Sequence, residues 1–250
     1  MSSVPLNEID RSPMSSRNTN PDFLAERVTQ LFDVPTSRLA IALCLDVSWS
    51  MNGKPIEELN RGIEYFLSTL REHPSTRHCT EVGMFSFADS VEVVLDFQGL
   101  AGVKSTPSLH SKYEQTNMGD GVNLALDRLE QRVGEYRSTG VDFYKPWLVV
   151  MSDGMPTTDT HIAASQRARE LEGGNQLKVL TIGIGGDADT DALASFSNRN
   201  PVMCLHDLKF AELFDMLSRS AIKTSQSRPS EDVKMEMPLT HDWFSFVPRK

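Results

Sequence analysis

Cysteine is scarce. The chain has three, Cys44, Cys79 and Cys204, an odd number, and each lies in a strand-like stretch. They read as buried free thiols of a reducing, cytoplasmic compartment. No Cys/His spacing suggests zinc. Long apolar runs are also missing, and nothing approaches the ~20 residues of a membrane span. Net positive charge is absent. There are 34 acidic against 25 basic residues, a balance of −9. That excludes the phosphate backbone of a nucleic acid as the main partner. The first residues, Met1-Ser-Ser-Val-Pro-Leu-Asn-Glu8, lack a basic start followed by an apolar core. No signal peptide and no membrane partner are therefore expected.

What is present suffices for one α/β domain with tails: 250 residues, 39% of them hydrophobic. Residues 1–36 read as a flexible N-terminal extension, rich in Ser, Asn and Pro over its first 20 positions. A short helix is expected over residues 21–32, with Leu24, Val28, Leu31 and Phe32 on one face. Residues 37–222 carry the periodic pattern of the domain. Residues 223–250 form a C-terminal tail that loses it and then groups Trp243, Phe244 and Phe246. Three large rings so close are costly in water. They are expected to pack back on the domain, or else to dock on a partner.

The seven apolar residues Leu39 to Leu45 read as a strand buried on both faces. Gly53 and Pro55 then open a helix whose Ile56, Leu59, Ile63, Phe66, Leu67 and Leu70 recur at helical spacing. Glu81 to Phe87 and the alternating Val91, Val93, Leu95 and Phe97 flank the turn Ala88-Asp89-Ser90. That pair reads as a hairpin, which places one antiparallel strand at a sheet edge. Residues 98–115 form a long connection without a clear period, a length at which loops are often functional. Further apolar strands are expected at 147–151, 178–184 and 202–205, each separated from the next by a helical segment. The alternation calls for a doubly wound, three-layer, Rossmann-like arrangement around a mostly parallel sheet.

The polar atoms concentrate where these strands end. Asp46, Ser48 and Ser50 alternate in Asp46-Val-Ser-Trp-Ser50, Thr116 closes the long connection, and Asp153-Gly154 follows a second apolar strand. Open α/β sheets bind ligands at this carboxyl edge. Hydroxyls and carboxylates together suit Mg²⁺ or a similar hard cation. Taken alone, the pentapeptide reads more readily as a polar strand-to-helix loop with a capping Ser.

As a set, these residues resemble the metal-ion-dependent adhesion site (MIDAS) of von Willebrand factor A (vWA) domains: Asp-x-Ser-x-Ser, a distant Thr before a helix, then Asp-Gly after an apolar strand. The resemblance covers roughly residues 37–222. Four blocks are similar to the TerY-like branch associated with bacterial tellurium resistance. They are residues 46–60, residues 116–122, residues 144–157, and Leu213-Phe-Asp-Met-Leu-Ser218. Asn117 stands where that branch more often has Pro, and the N-terminal extension and aromatic tail also depart from it. The resemblance implies that Ser48, Ser50 and Thr116 give hydroxyl oxygens to the cation, with Asp46 and Asp153 bound directly or through water. The cation would be Mg²⁺, or Mn²⁺ or Ca²⁺ in its place. It would capture an Asp or Glu of a protein partner, with an operon-linked kinase or phosphatase as candidate.

An enzyme is not expected. A metal-dependent phosphohydrolase is the alternative, but such enzymes want a second acid where Ser48 stands. A structural subunit with an idle metal site is a third reading. Gly53-Lys54 lacks the spacing of a phosphate loop, and Gly183-Ile-Gly-Gly186 is not the dinucleotide fingerprint. Asp187, Asp189 and Asp191 read as a solvated loop with a helix cap rather than a calcium cradle. Trp147 reads as core. Trp49, inside the ligand loop, is expected to be partly exposed, and Trp49 and Asn117 are the candidate partner contacts.

Overall fold

The computed structural model describes residues 36–112, 115–237 and 242–247. The helix expected over 21–32 and the flexible character of the N-terminal extension lie outside the described residues. Seven strands form one sheet: β1 (Leu39–Asp46), β2 (Thr80–Phe87), β3 (Val91–Leu95), β4 (Trp147–Ser152), β5 (Lys178–Ile184), β6 (Val202–Leu205) and β7 (Phe244–Val247). Their order is β3-β2-β1-β4-β5-β6-β7. Neighbours from β2 to β6 are parallel. The helices are α1 (Lys54–Glu72), α2 (Met118–Thr139), α3 (Thr160–Gly173), α4 (Thr190–Ala194) and α5 (Phe210–Ser225).

β1 explains the three layers. Its Leu39, Ile41, Leu43 and Leu45 share a core with the apolar faces of α1 and α5. Its Ala40, Ala42 and Cys44 point the other way, into a second core with α2, α3 and α4. A strand covered on both faces has no reason to alternate apolar with polar, so it reads as one apolar run. On the first face α1 and α5 approach closely. The Phe66 and Phe214 rings are 5.4 Å apart, and a Cβ at Gly62 would stand 2.5 Å from the Phe214 ring.

The connections run outward from β1 in both directions, to β2 on one side and to β4 on the other. That reversal falls between β1 and β4, and the carboxyl ends of the strands at such a point are the ordinary ligand position of an open α/β sheet. The long connection after β3 returns to this edge. Asn60 fixes it by bonding both main-chain groups of Leu109, at 2.9 and 2.8 Å. The Lys112 amide then donates to the Val47 carbonyl at 2.6 Å.

The expected antiparallel edge is β3, paired with β2. A second one closes the other side, where the tail returns as β7 and pairs antiparallel with β6. Phe244 is buried in the first core, Trp243 packs beside it with ring centroids 4.6 Å apart, and Phe246 stays exposed. The free edge of β6 supplies the main-chain partners that a four-residue strand lacks by itself. Tyr144 holds the chain leaving α5, donating to the Ser225 and Ser227 carbonyls. Among the described residues no helix is long and apolar enough to cross a membrane.

Candidate functional site

β1 ends on Asp46 and β4 ends on Ser152, so their loops leave the sheet side by side. Asp46 is fully buried, and its Oδ1 accepts the Ser48 amide at 2.8 Å. Its Oδ2 accepts the Ser152 hydroxyl. The Asx bond to Ser48 folds the chain back, and a short turn over Trp49–Met51 follows. Ser48 and Ser50 then face each other, Oγ to Oγ, at 3.0 Å. The Ser50 hydroxyl donates to Asp153 Oδ1 at 2.8 Å, a contact across 103 residues of sequence.

Thr116 arrives from the other direction and is buried. Its amide donates to Thr157 Oγ1 at 3.0 Å, and the Thr157 amide donates back to its carbonyl at 3.1 Å. These reciprocal bonds lock the start of α2 to the loop that carries Asp153. A Cβ at Gly154 would lie 3.8 Å from Thr116 Oγ1, which puts that hydroxyl beside the Asp-Gly turn. Gly119 allows the approach: a Cβ there would stand 2.2 Å from the backbone of Thr160 and His161. Asn117 ties the same turn to the β2–β3 hairpin. Its amide donates to the Ala88 carbonyl at 2.9 Å, and its Nδ2 to the Asp89 carbonyl at 2.8 Å.

The electrostatics are one-sided. Burial raises the Asp46 carboxyl to about 6; the hydrogen bonds from Ser152 and Ser48 oppose this, and the charge of Asp153 adds to it. Burial also raises Asp153, against the bond from Ser50 and with help from Asp187. No cation is among the hydrogen-bond partners described for either carboxylate. Two carboxylates and three hydroxyls thus meet at one edge with no cationic hydrogen-bond partner among the described residues. That donor set fits a hard, oxygen-seeking cation. Among the described residues no group of three or more His, Cys, Asp or Glu could hold a metal, so hydroxyls have to complete the set.

Ser48, Ser50 and Asp153 share a hydrogen-bonded chain, Asp46 joins it through the Ser48 amide, and Thr116 stands at Gly154. Trp49 is 59% exposed, whereas Trp147 is core. Asp189 caps α4 by accepting from the Asp191 and Ala192 amides. Sequence reasoning assigned no role to Ser152 and Thr157. A polar residue ending an otherwise apolar strand was a signal for Ser152; Thr157 had none, because its partner lies 41 residues away.

A family model described as the von Willebrand factor type A domain matches residues 40–218. The chain belongs to the von Willebrand factor type A family. Solved structures agree on the fold. The pilus adhesin SpaC from Lactobacillus rhamnosus GG, in an open conformation, aligns with a TM-score of 0.61 at 13% identity, over 75% of this vWA chain and 30% of its own. A von Willebrand factor type A protein from Catenulispora acidiphila aligns with a TM-score of 0.52 at 15% identity, over 75% and 43%. Proximal thread matrix protein 1 from the mussel byssus, with a zinc-occupied MIDAS motif, aligns with a TM-score of 0.50 at 14% identity, over 74% and 48%. The vWA chain spans less than half the length of each of these proteins. No curated protein matches the sequence.

Proposed function

We propose that this vWA domain is a metal-dependent protein-binding module. The observation that carries the reading is the convergence of Asp46, Ser48, Ser50 and Asp153, with Thr116 beside them, around a buried carboxylate that has no cationic hydrogen-bond partner among the described residues. Asp46 and Asp153 would bind the ion directly or through water, and Ser48, Ser50 and Thr116 would offer hydroxyl oxygens. Mg²⁺ is the favoured ion, with Mn²⁺ or Ca²⁺ able to replace it. When bound, it supplies a Lewis-acidic point that attracts a carboxylate from outside the chain. The partner therefore presents an Asp or Glu, with Trp49 and Asn117 as its proposed contacts. The occupied MIDAS named for the mussel protein supports a divalent ion in this fold. The blocks similar to the TerY-like branch support a cytoplasmic, bacterial stress-response scaffold linked to tellurite resistance. An operon-linked kinase or phosphatase is the candidate partner on the same ground.

The rival chemistry is metal-dependent phosphoester hydrolysis. Ser48 occupies the place of its proton donor and cannot lend a proton near neutral pH. The test is a pulldown with Mg²⁺ against chelator, read by mass spectrometry, beside an assay with a generic phosphoester. The expected result is a partner retained only with metal and lost in Asp46→Ala, with no turnover. Turnover that vanishes in Asp46→Asn would overturn the binding reading in favour of the enzyme.

A further inference from the structure

Three exposed large apolar side chains lie on segments that carry or adjoin this polar centre. Met155 is 68% exposed and Ile162 60%; with Trp49 they are the three most exposed large hydrophobic residues described. Each stands on a segment already tied to the site. Trp49 lies between Ser48 and Ser50, and Met155 follows Asp153-Gly154. The Ser50–Asp153 hydrogen bond holds these two loops against each other. Ile162 lies in the first turn of α3, whose backbone touches Gly119 in the first turn of α2. A single exposed apolar side chain is ordinary. Trp49 and Met155 lie on two loops that the Ser50–Asp153 hydrogen bond holds together, each within a few residues of a site side chain.

The charge around this surface is mostly negative: Lys112, on the connection that returns to this edge, is paired with Glu92, and Lys54 opens α1. The end of β1 carries Asp46, and the loops leaving β2, β4 and β5 carry Asp89, Asp153, Asp159, Asp187 and Asp189. The chain as a whole is at −9. A bound divalent ion would offset two carboxylates at most. A partner rich in acidic residues would meet repulsion from the others.

We infer that Trp49 and Met155 form an apolar clamp that selects a partner loop bearing one carboxylate flanked by large apolar residues, and that acidic tracts are rejected. The inference rests on the proposed metal-dependent capture and adds the specificity of that same site. The carboxylate would meet the ion while its neighbours cover Trp49 on one side and Met155 on the other, with Ile162 at the margin.

The test uses the full chain and four short synthetic peptides. The first has one Asp between Leu and Phe, and the second has the same Asp between Ser and Gly. The third has an Asp/Glu tract, and the fourth is the first with Asn in place of Asp. Binding is measured by fluorescence anisotropy in Mg²⁺ and in chelator. Metal binding is measured separately, by calorimetry with Mn²⁺ and no peptide. The apolar-flanked peptide should bind about tenfold or more tighter than the Ser/Gly peptide, as burial of two large side chains implies. The acidic tract should bind no better than the Ser/Gly peptide, and the Asn peptide should not bind. Trp49→Ser should remove most of the preference and Met155→Ser part of it, while each still binds Mn²⁺. Equal affinities for the first two peptides would overturn the clamp, as would a preference that survives Trp49→Ser. Metal binding without capture of any peptide would overturn it too. If Mn²⁺ itself fails to bind wild-type protein, the metal-dependent reading falls, a result the calorimetry reports independently of the peptides.

Discussion

Glu81 and Asp46 sit on neighbouring strands, at opposite ends of the same sheet, and both carboxylates are buried. The fold treats them in opposite ways. Glu81, near the start of β2, is gripped by Arg132, Nε to Oε2 at 2.6 Å and Nη2 to Oε1 at 2.9 Å. Tyr136 adds its hydroxyl at 2.7 Å. Burial pulls the Arg132 pKa down, and the bonds and charge of Glu81 more than offset it, so the guanidinium stays protonated. Asp46, at the end of β1, receives one amide and one serine hydroxyl. An arginine can therefore be spared where a buried acid only has to be stable. At the carboxyl edge no cationic side chain among the described residues bonds to the acid, and the proposed ion would supply the balancing charge.

The contrast can be broken from either side. The largest effect should come from Arg132→Met. Removing one partner of a buried pair strands the other charge, at about 3–5 kcal/mol. Urea unfolding should show the loss; a change under about 1 kcal/mol would mean that Glu81 simply takes up a proton or finds water.

Next comes pH. The folded Asp46 carboxyl titrates near 6, above the ~3.9 of an unfolded Asp. The folded state therefore holds that proton more tightly. In chelator, the contribution of Asp46 is fully present below about pH 4 and is lost as pH rises to about 6, on the order of 2–3 kcal/mol. The difference between wild type and Asp46→Asn, followed by thermal melts across this window, isolates the effect. A flat difference would mean that the carboxylate is already neutralised by something else.

Metal should then restore what pH removed. At ten times its dissociation constant, Mg²⁺ should add about 1.4 kcal/mol, a rise in melting temperature of roughly 3–6 °C. Asp46→Asn should lose this response and Arg132→Met should keep it. A metal response of equal size in both variants would place the ion elsewhere.

The smallest effect on the fold itself belongs to Thr116→Ala. Its main-chain bonds to Thr157 survive the change, so apo stability should move by less than about 1 kcal/mol. Mg²⁺-dependent partner capture should nevertheless weaken by roughly tenfold. A large loss of apo stability with capture intact would make Thr116 a structural residue.

Much of this molecule is written in short stretches of chain. The apolar run of β1 announces burial on two faces, and the helical spacing from Ile56 to Leu70 announces one packed face. The order of Asp46, Ser48, Ser50, Thr116 and Asp153 along the chain marks the carboxyl edge before any coordinate is known. These are local signals, because residue periodicity reflects which faces are covered and polar residues must appear where a buried strand ends. Tertiary structure alone decided the rest. Ser50 meets Asp153 only because β4 lies beside β1. The same register sets Ser152 against Asp46, and the outcome at the two ends of the sheet depends on which helix delivers Arg132 to Glu81. β7 carries no turn signal or long alternation of its own. It exists because β6 offers an unpaired edge and the core accepts Phe244. Proximity between distant segments is a property of strand order and crossovers, which no short window of sequence contains.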